Sequence, residues 1–581
     1  MSEKIKGQGD AETVLSQKEY LVFKIIMTSS FFVFGLFHEY AACIFCGIFG
    51  LFFLFLSVTK KKLRFYINKE SVFLSILTPG YLLAAFYGID AGMGWIGFLK
   101  ILTVFFFLCC AMQLTAEEKE KLSGLIPPAG CIMTLAGMLS YPFKPAYEFF
   151  FTADRLGGFF QYANVFALFC LTGCIFLVGK LEKTEDRAAK IRLCLQVFLL
   201  LAGILLSGSR SIGILTVICG CAVAVRKRSI RLQTFAVIGI AAAAAFLSAY
   251  LTGNVQNIGR LFTVSLHSST LLGRILYAKD GIRQIFLHPF GLGYLGYYFI
   301  EPAVQTGVYS VRFIHNDYLQ MALDIGIVPS LLFLYVLGRN LFGKGRSFEN
   351  RLTVGVMSLH FLLDFDLEFT CMWFLLILNL NLHHGTEIKT VSKRRRLLYR
   401  ILTGITATAG IYTGIAMIPR YLGNETASAA LLPFYTEAQK EVLIQETDYG
   451  RAKDLAEKQL KQNAYIAEAY DILAMDAYQN GDYAAMSEYK KEAFKLQRYH
   501  TEAYERYIVL LSGAIEKAAE KQEADTVQKL MKDVVWLDRQ RNQVKETTDR
   551  LAYKIRDIPD LTLSDEAENY MVQVKQIMKN R

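Results

Sequence analysis

The side chains with chemical potential collect in one stretch. Between Thr252 and Asn316 the chain carries Arg260, Arg274, Lys279, Arg283 and Arg312 against only Asp280 and Glu301, and the stretch closes on His315. Read as a loop, it is far longer than the few residues that usually join two elements, and long loops are usually functional. A guanidinium stays charged at any physiological pH and grips phosphate oxygens in pairs. A neutral imidazole at the rim of an apolar segment exchanges protons near neutral pH. Together these residue types point to an anionic substrate, with His315 as the proton-handling group and His267 and His288 as secondary candidates.

Such residues need a scaffold, and the scaffold is apolar. Hydrophobic residues make up 53% of the 581, with 43 Phe, and long apolar runs recur as far as Pro419. Each is long enough to cross about 30 Å of hydrocarbon. Spans are expected near 20–37, 41–58, 71–88, 94–112, 123–141, 159–179, 192–208, 211–225, 233–251, 318–338, 352–367, 370–386 and 400–419. The fold class is therefore all-α: a polytopic membrane protein of about 12–14 transmembrane helices.

Basic clusters orient it. Lys60-Lys61-Lys62-Leu63-Arg64, the Lys180–Arg192 loop, Arg226-Lys227-Arg228, Arg339–Arg351 and Lys393–Arg396 share one side if the N-terminus is inside. By the positive-inside rule that side is the cytoplasm. The Tyr141–Gly158 loop, the Ser207–Ser211 turn, the 252–317 loop, the Asp364–Glu368 turn and everything after Arg420 then face outward. Arg155, Arg210, Arg260, Arg274, Arg283 and Arg312 stand where the rule disfavours them, and a bound diphosphate would offset that bias. The plainer reading has them reaching lipid headgroups or pairing with local acids such as Asp154 and Glu301.

The organisation has three parts. Residues 1–19 are polar, without an apolar core or cleavage site, so a cytoplasmic tail and an uncleaved first span are expected. Residues 20–419 form the membrane domain. Residues 420–581 turn to Ala, Glu, Lys, Gln and Tyr with helical periodicity. There, Glu468 in AYIAEAY and Glu502 in RYHTEAY lie 34 residues apart, the tetratricopeptide period, with a turn at Asn480-Gly481-Asp482 between them. An extracytoplasmic α-solenoid is expected, suited to binding a cell-surface assembly partner. All 11 cysteines lie in or beside apolar segments, which supports neither disulfides nor a Cys metal site. The net charge of +11 is carried by the topological clusters and is not a nucleic-acid signature.

P-loop, zincin and nucleophile-elbow patterns are absent. Asp154 and the acids of the Asp364-Phe365-Asp366-Leu367-Glu368 turn could bind a divalent cation with a substrate's help, but they read as solvated, and no metal or other cofactor is expected. The segment from Arg155 through Gly157 and Gly158 to Asn164 resembles the one that opens a span in the O-antigen ligase and polymerase superfamily. Ser207-Gly208-Ser209-Arg210-Ser211 resembles that family's outward "SR" turn. Pro289-Phe290-Gly291-Leu292-Gly293 resembles its proline- and glycine-bearing stretch, and His315-Asn316 followed by Gly326 its H-N-x9-G signature. The family's next glycine is replaced here by Pro329. The resemblance covers roughly 150–340.

What it implies is metal-independent, inverting glycosyl transfer outside the cytoplasmic membrane. The donor would be a saccharide on undecaprenyl pyrophosphate, and the acceptor a hydroxyl of a glycan or glycolipid. His315 would take the acceptor proton, and Arg210 and Arg155 would stabilise the departing pyrophosphate. Arg274, Arg260, Arg283, Arg312, Asn316, Asn164 and Ser209 complete the set as substrate-binding candidates. Polymerase and ligase differ only in acceptor. The rivals are a flippase for the same lipid-linked saccharide and a protein O-oligosaccharyltransferase. A flippase would show ionisable residues within its spans and repeated halves; the charges here read as gathered at span ends.

Overall fold

The computed structural model describes residues 14–227, 239–240, 243, 269–382, 386–387 and 392–580. The described chain is predominantly helical, and its strands among the described residues are two pairs of two residues each. Tyr66–Ile67 pairs antiparallel with Thr386–Glu387, and Phe151–Thr152 with Arg155–Leu156.

Among the described residues, seven helices are long and apolar enough to cross a membrane: Glu39–Thr59, Lys69–Tyr87, Ala91–Ala111, Ala116–Ser140, Ala163–Lys183, Arg187–Ser207 and Lys393–Tyr421. Ala91–Ala111 is central, with 89% of its most apolar window buried, and it packs on Lys69–Tyr87, Glu39–Thr59 and Thr370–Asn379. Glu39–Thr59 lies along Lys393–Tyr421, where Gly410 and Gly414 face the backbone carbonyls of Cys43 and Tyr40 too closely for a Cβ. Small residues one turn apart let apolar helices approach where lipid offers no hydrophobic drive.

The remaining expected spans are shorter or broken. The one near 318–338 divides into Asp317–Ile325 and Ile327–Phe342 at Gly326, whose φ is +97°. A Cβ there would sit 2.6 Å from the Pro289 carbonyl, so glycine is required by both torsion and space. Leu292 N–H and Gly293 N–H donate to the carbonyls of Leu323 and Asp324, which ties the 289–293 turn to the same break. The helix expected over 352–367 is Phe348–His360, and that over 370–386 is Thr370–Asn379. The one near 20–37 is Gln17–Phe32, ended by positive φ at Phe34, Gly35 and Leu36. The span near 211–225 is Arg210–Arg226, and the one near 233–251 falls almost wholly outside the described residues. The described part of the 252–317 segment is no open loop: it folds into helices Ser269–Leu287 and Gly296–Val304.

Lys100 contradicts the reading of charges at span ends only. Lys100 sits in the middle of Ala91–Ala111, buried, with Nζ 2.7 Å from Glu368 Oε2 and 3.3 Å from the Tyr294 hydroxyl. Tyr294 OH donates to Glu39 Oε1 at 2.8 Å, and Arg312 Nη2 reaches the same carboxylate at 2.7 Å. Arg312 also pairs with Glu437 of the tail, which in turn meets Arg420 at 3.0 Å. Asp90 accepts from Asn463 Nδ2 at 2.9 Å, and Arg498 donates to the Ala303 carbonyl at 2.7 Å. The tail is thus bonded to the membrane domain at several points. Its helices Tyr449–Gln462, Ala467–Gln479 and Tyr483–Lys495 pack in succession, as do Thr501–Glu520 and Ala524–Thr547.

Candidate active site around Asp364

A tight hairpin delivers Arg155. Its two central residues, Ala153 and Asp154, have φ of +49° and +58°, the left-handed pair that reverses a strand in two residues. Arg155 Nη2 donates to Asn164 Oδ1 at 2.6 Å and Nε to the Ser207 carbonyl at 2.8 Å. Asn164, in the first turn of Ala163–Lys183, turns its amide nitrogen to Asp364 Oδ2 at 2.6 Å.

Asp364 is the hub. Its side chain is fully buried in the turn between Phe348–His360 and Thr370–Asn379. Tyr162 OH donates to Oδ1 at 2.8 Å, His315 Nδ1 lies 3.0 Å from Oδ1, and Arg274 Nη2 lies 3.4 Å from Oδ2. Burial alone would raise this carboxyl, but the His315 hydrogen bond and the Arg274 charge outweigh it and hold the group well below the usual carboxylate range. An ionised carboxylate only accepts, so Nδ1 donates to it, and in the neutral imidazole that leaves the lone pair on Nε2. The imidazole is 22% exposed against Asp364's zero, so the ring is reachable while the carboxylate is sealed. Phe365 and Tyr277 flank the ring, with centroids 5.0 and 6.2 Å away. This arrangement can take a proton at Nε2 and stabilise the resulting imidazolium.

A second histidine lies close in the chain. His360, the last residue of its helix, has Nδ1 2.6 Å from Asp366 Oδ2 and Nε2 3.1 Å from Ser211 Oγ. Ser209 Oγ is 3.3 Å from Ser211 Oγ, and Arg210, half-buried, begins the Arg210–Arg226 helix between them. The turn holding Ser209 and Arg210 is thereby pinned to the Asp364–Asp366 segment on one side and, through Ser207, to Arg155 on the other.

The strap that presents His315 is built locally. Asn316 Oδ1 accepts from Leu319 N–H at 3.0 Å, capping Asp317–Ile325, and its Nδ2 donates to the Leu362 carbonyl at 3.0 Å. Asp317 N–H donates to the Phe361 carbonyl at 2.8 Å, and the Asp317 carboxylate accepts from Leu367 N–H at 3.1 Å. Asn316→Ala is expected to lower stability by about 1–2 kcal/mol, with Asn316→Asp recovering the cap contribution, as read from thermal unfolding midpoints.

Of the sequence-derived candidates, His315, Arg274 and Asn164 meet at Asp364, and Arg155 reaches it through Asn164. Asn316, Ser209 and Arg210 lie in the segments bonded to it. Arg312 is engaged by Glu39 and Glu437, and Arg283 is exposed on Ser269–Leu287. His288 is exposed beside Pro289; Arg260 and His267 lie outside the described residues. Asp364, Tyr162, Ser211 and His360 went unnoticed as site residues. In sequence Asp364 reads as one of the solvated acids of a turn, and the signal against that is the apolar span on either side of the turn.

Among the described residues Glu301 pairs with no arginine. It is buried and accepts from Val311 N–H at 2.8 Å. Burial pushes its carboxyl up to about 8, against the Val311 N–H and with help from the Asp280 charge. A folded value above the ordinary 4.5 means stability that is complete below about pH 4.5 and declines as pH rises through 8. Glu301→Gln is expected to abolish that decline and to raise the unfolding midpoint at pH 8 relative to the unsubstituted chain. Midpoints measured across pH 5 to about 9 check it.

A family model described as O-antigen ligase matches residues 195–334, which include the Ser207–Ser211 turn, Arg274 and His315. Neither a curated protein nor a solved structure matches the chain. The matched stretch leaves out Arg155, Asn164 and Asp364, yet its His315 and Arg274 converge on Asp364 in space. Residues 195–334 thus resemble the O-antigen ligase superfamily, set within an all-α, multi-pass membrane protein.

Proposed function

We propose that the protein is a membrane glycosyltransferase of the O-antigen ligase and polymerase type. It moves a saccharide from undecaprenyl pyrophosphate to a hydroxyl of a glycan or glycolipid outside the cytoplasmic membrane, with the N-terminus inside and the tail outside. The observation that carries this is the His315–Asp364 pair, closed at 3.0 Å, with two guanidiniums tied to the same carboxylate, one directly and one through Asn164. His315 Nε2 takes the acceptor proton as its oxygen bonds to the anomeric carbon. The bond from that carbon to the pyrophosphate oxygen breaks, and its electron pair leaves with the pyrophosphate. Arg274 supports that departure: its Nε is buried without a hydrogen-bond partner among the described residues and is free for a donor oxygen. Arg155 and Arg210, on the two adjoining turns, supply the further positive charge a metal supplies in other glycosyltransferases. One displacement inverts the anomeric centre. The tetratricopeptide-like tail holds the acceptor chain or a surface-assembly partner.

The test is the lipid-linked and surface glycan pools of cells carrying His315→Ala at matched protein level. Single repeat units accumulating on the lipid identify a polymerase, and full-length chains accumulating there a ligase. Unchanged pools would sink the assignment of His315.

A further inference from the structure

Three helices that frame the Asp364 site have their other ends around a second feature. Ala163–Lys183, Phe348–His360 and Thr370–Asn379 present Lys180 and Lys183, Glu349 and Asn350, and Asn379 to a cavity of about 460 Å³. A second cavity of about 590 Å³ shares Arg346 and Asn381 with it. The two together are lined by the basic residues Lys180, Lys183, Arg339, Lys344 and Arg346, with Lys119 buried beside them, and by the acids Glu120 and Glu349 alone.

Those acids are already engaged. Glu120 pairs with Lys180 at 2.5 Å, and Glu349 with Lys227, from outside both cavities, at 2.9 Å. Buried Glu70 lies 3.9 Å from Arg339 and 3.7 Å from Arg346, so one carboxylate serves two guanidiniums. Positive charge remains in excess. Leading to it along Ile327–Phe342 is an apolar stripe at helical spacing: Val328, Leu331, Tyr335 and Phe342, exposed by 66, 58, 46 and 85%.

We propose that this trough binds the phosphate headgroup of an anionic phospholipid, with an acyl chain along the Val328–Phe342 stripe. Cationic pockets at helix ends on the cytoplasmic side take such headgroups, and guanidinium forks fit phosphate oxygens. A free phosphate or diphosphate shares the headgroup chemistry; the stripe, which a soluble anion would leave unused, favours the lipid. The proposal stands apart from glycosyl transfer and survives its failure.

The experiment uses the full chain, stripped of lipid and returned to nanodiscs of phosphatidylcholine with or without phosphatidylglycerol. Retained lipid is counted by native mass spectrometry, and unfolding midpoints are measured in parallel. Preferential retention of phosphatidylglycerol and a raised midpoint are expected, with retention falling about tenfold or more in Arg339→Gln/Arg346→Gln. Lys183→Gln/Lys344→Gln, both at exposed positions, should fold normally and lower retention several-fold, while exposed Lys121→Gln should leave it unchanged. Equal retention of the two lipids, or undiminished retention in the Lys183→Gln/Lys344→Gln variant, overturns the proposal. So does a midpoint shift produced by inorganic phosphate but not by phosphatidylglycerol, which would make this a soluble-anion site.

Discussion

Under the proposed function, replacing Asp364 with asparagine is expected to slow glycosyl transfer by about 10²–10⁴-fold, the usual worth of a positioned general base. The substitution keeps size and shape but removes the charge that fixes the His315 proton on Nδ1. An asparagine amide can donate to Nδ1 instead, which places the imidazole proton on Nε2, the atom that must be bare to act as base. His315→Ala should cost about as much, and the double variant little more, because residues acting as one unit are not additive. Initial rates at matched protein level, with unfolding midpoints alongside, separate this from a loss of fold. An Asp364→Asn protein working within a factor of about two of the unsubstituted one would remove Asp364 from the mechanism.

Lys100→Met is expected to cost about 3–5 kcal/mol of stability. The change leaves Glu368 buried at 7% exposure without its cation, in the turn that also holds Asp364 and Asp366. Burying an unpaired charge is far costlier than burying none, so Lys100→Met/Glu368→Leu should recover most of the loss. The Lys100 ammonium also lies 5.4 Å from the Tyr294 and Phe313 ring centroids, which adds a smaller cation–π part to the same effect. Unfolding midpoints of the two single variants and the double one form the cycle. A double variant no more stable than Lys100→Met would mean that the pair does not act as a unit. Transport chemistry was the expected meaning of a charge within a span; here the charge closes on its partner and anchors the turn that holds Asp364.

The sequence by itself determined the solvent each part meets. Runs such as Glu39–Thr59 and Ala91–Ala111 are apolar over a full bilayer thickness, and transfer into hydrocarbon depends on composition along the chain. Local patterning also pointed to His315, Arg274, Arg155 and Asn164, which do meet. The tertiary structure alone decided what they meet. Asn164 and Asp364 are 200 residues apart, and His315 and Asp364 are 49 apart; neither pairing has a local trace. Arg312 was indistinguishable in sequence from Arg274, but one packs beside Glu39 and Glu437 and the other beside Asp364. Likewise hydropathy across 318–338 reads as one span, and only the approach of the Pro289 carbonyl to Gly326 divides it. Hydropathy and charge are properties of single residues and show in any window of the chain. Charge partners and backbone breaks are set by which helices pack together, which no window contains.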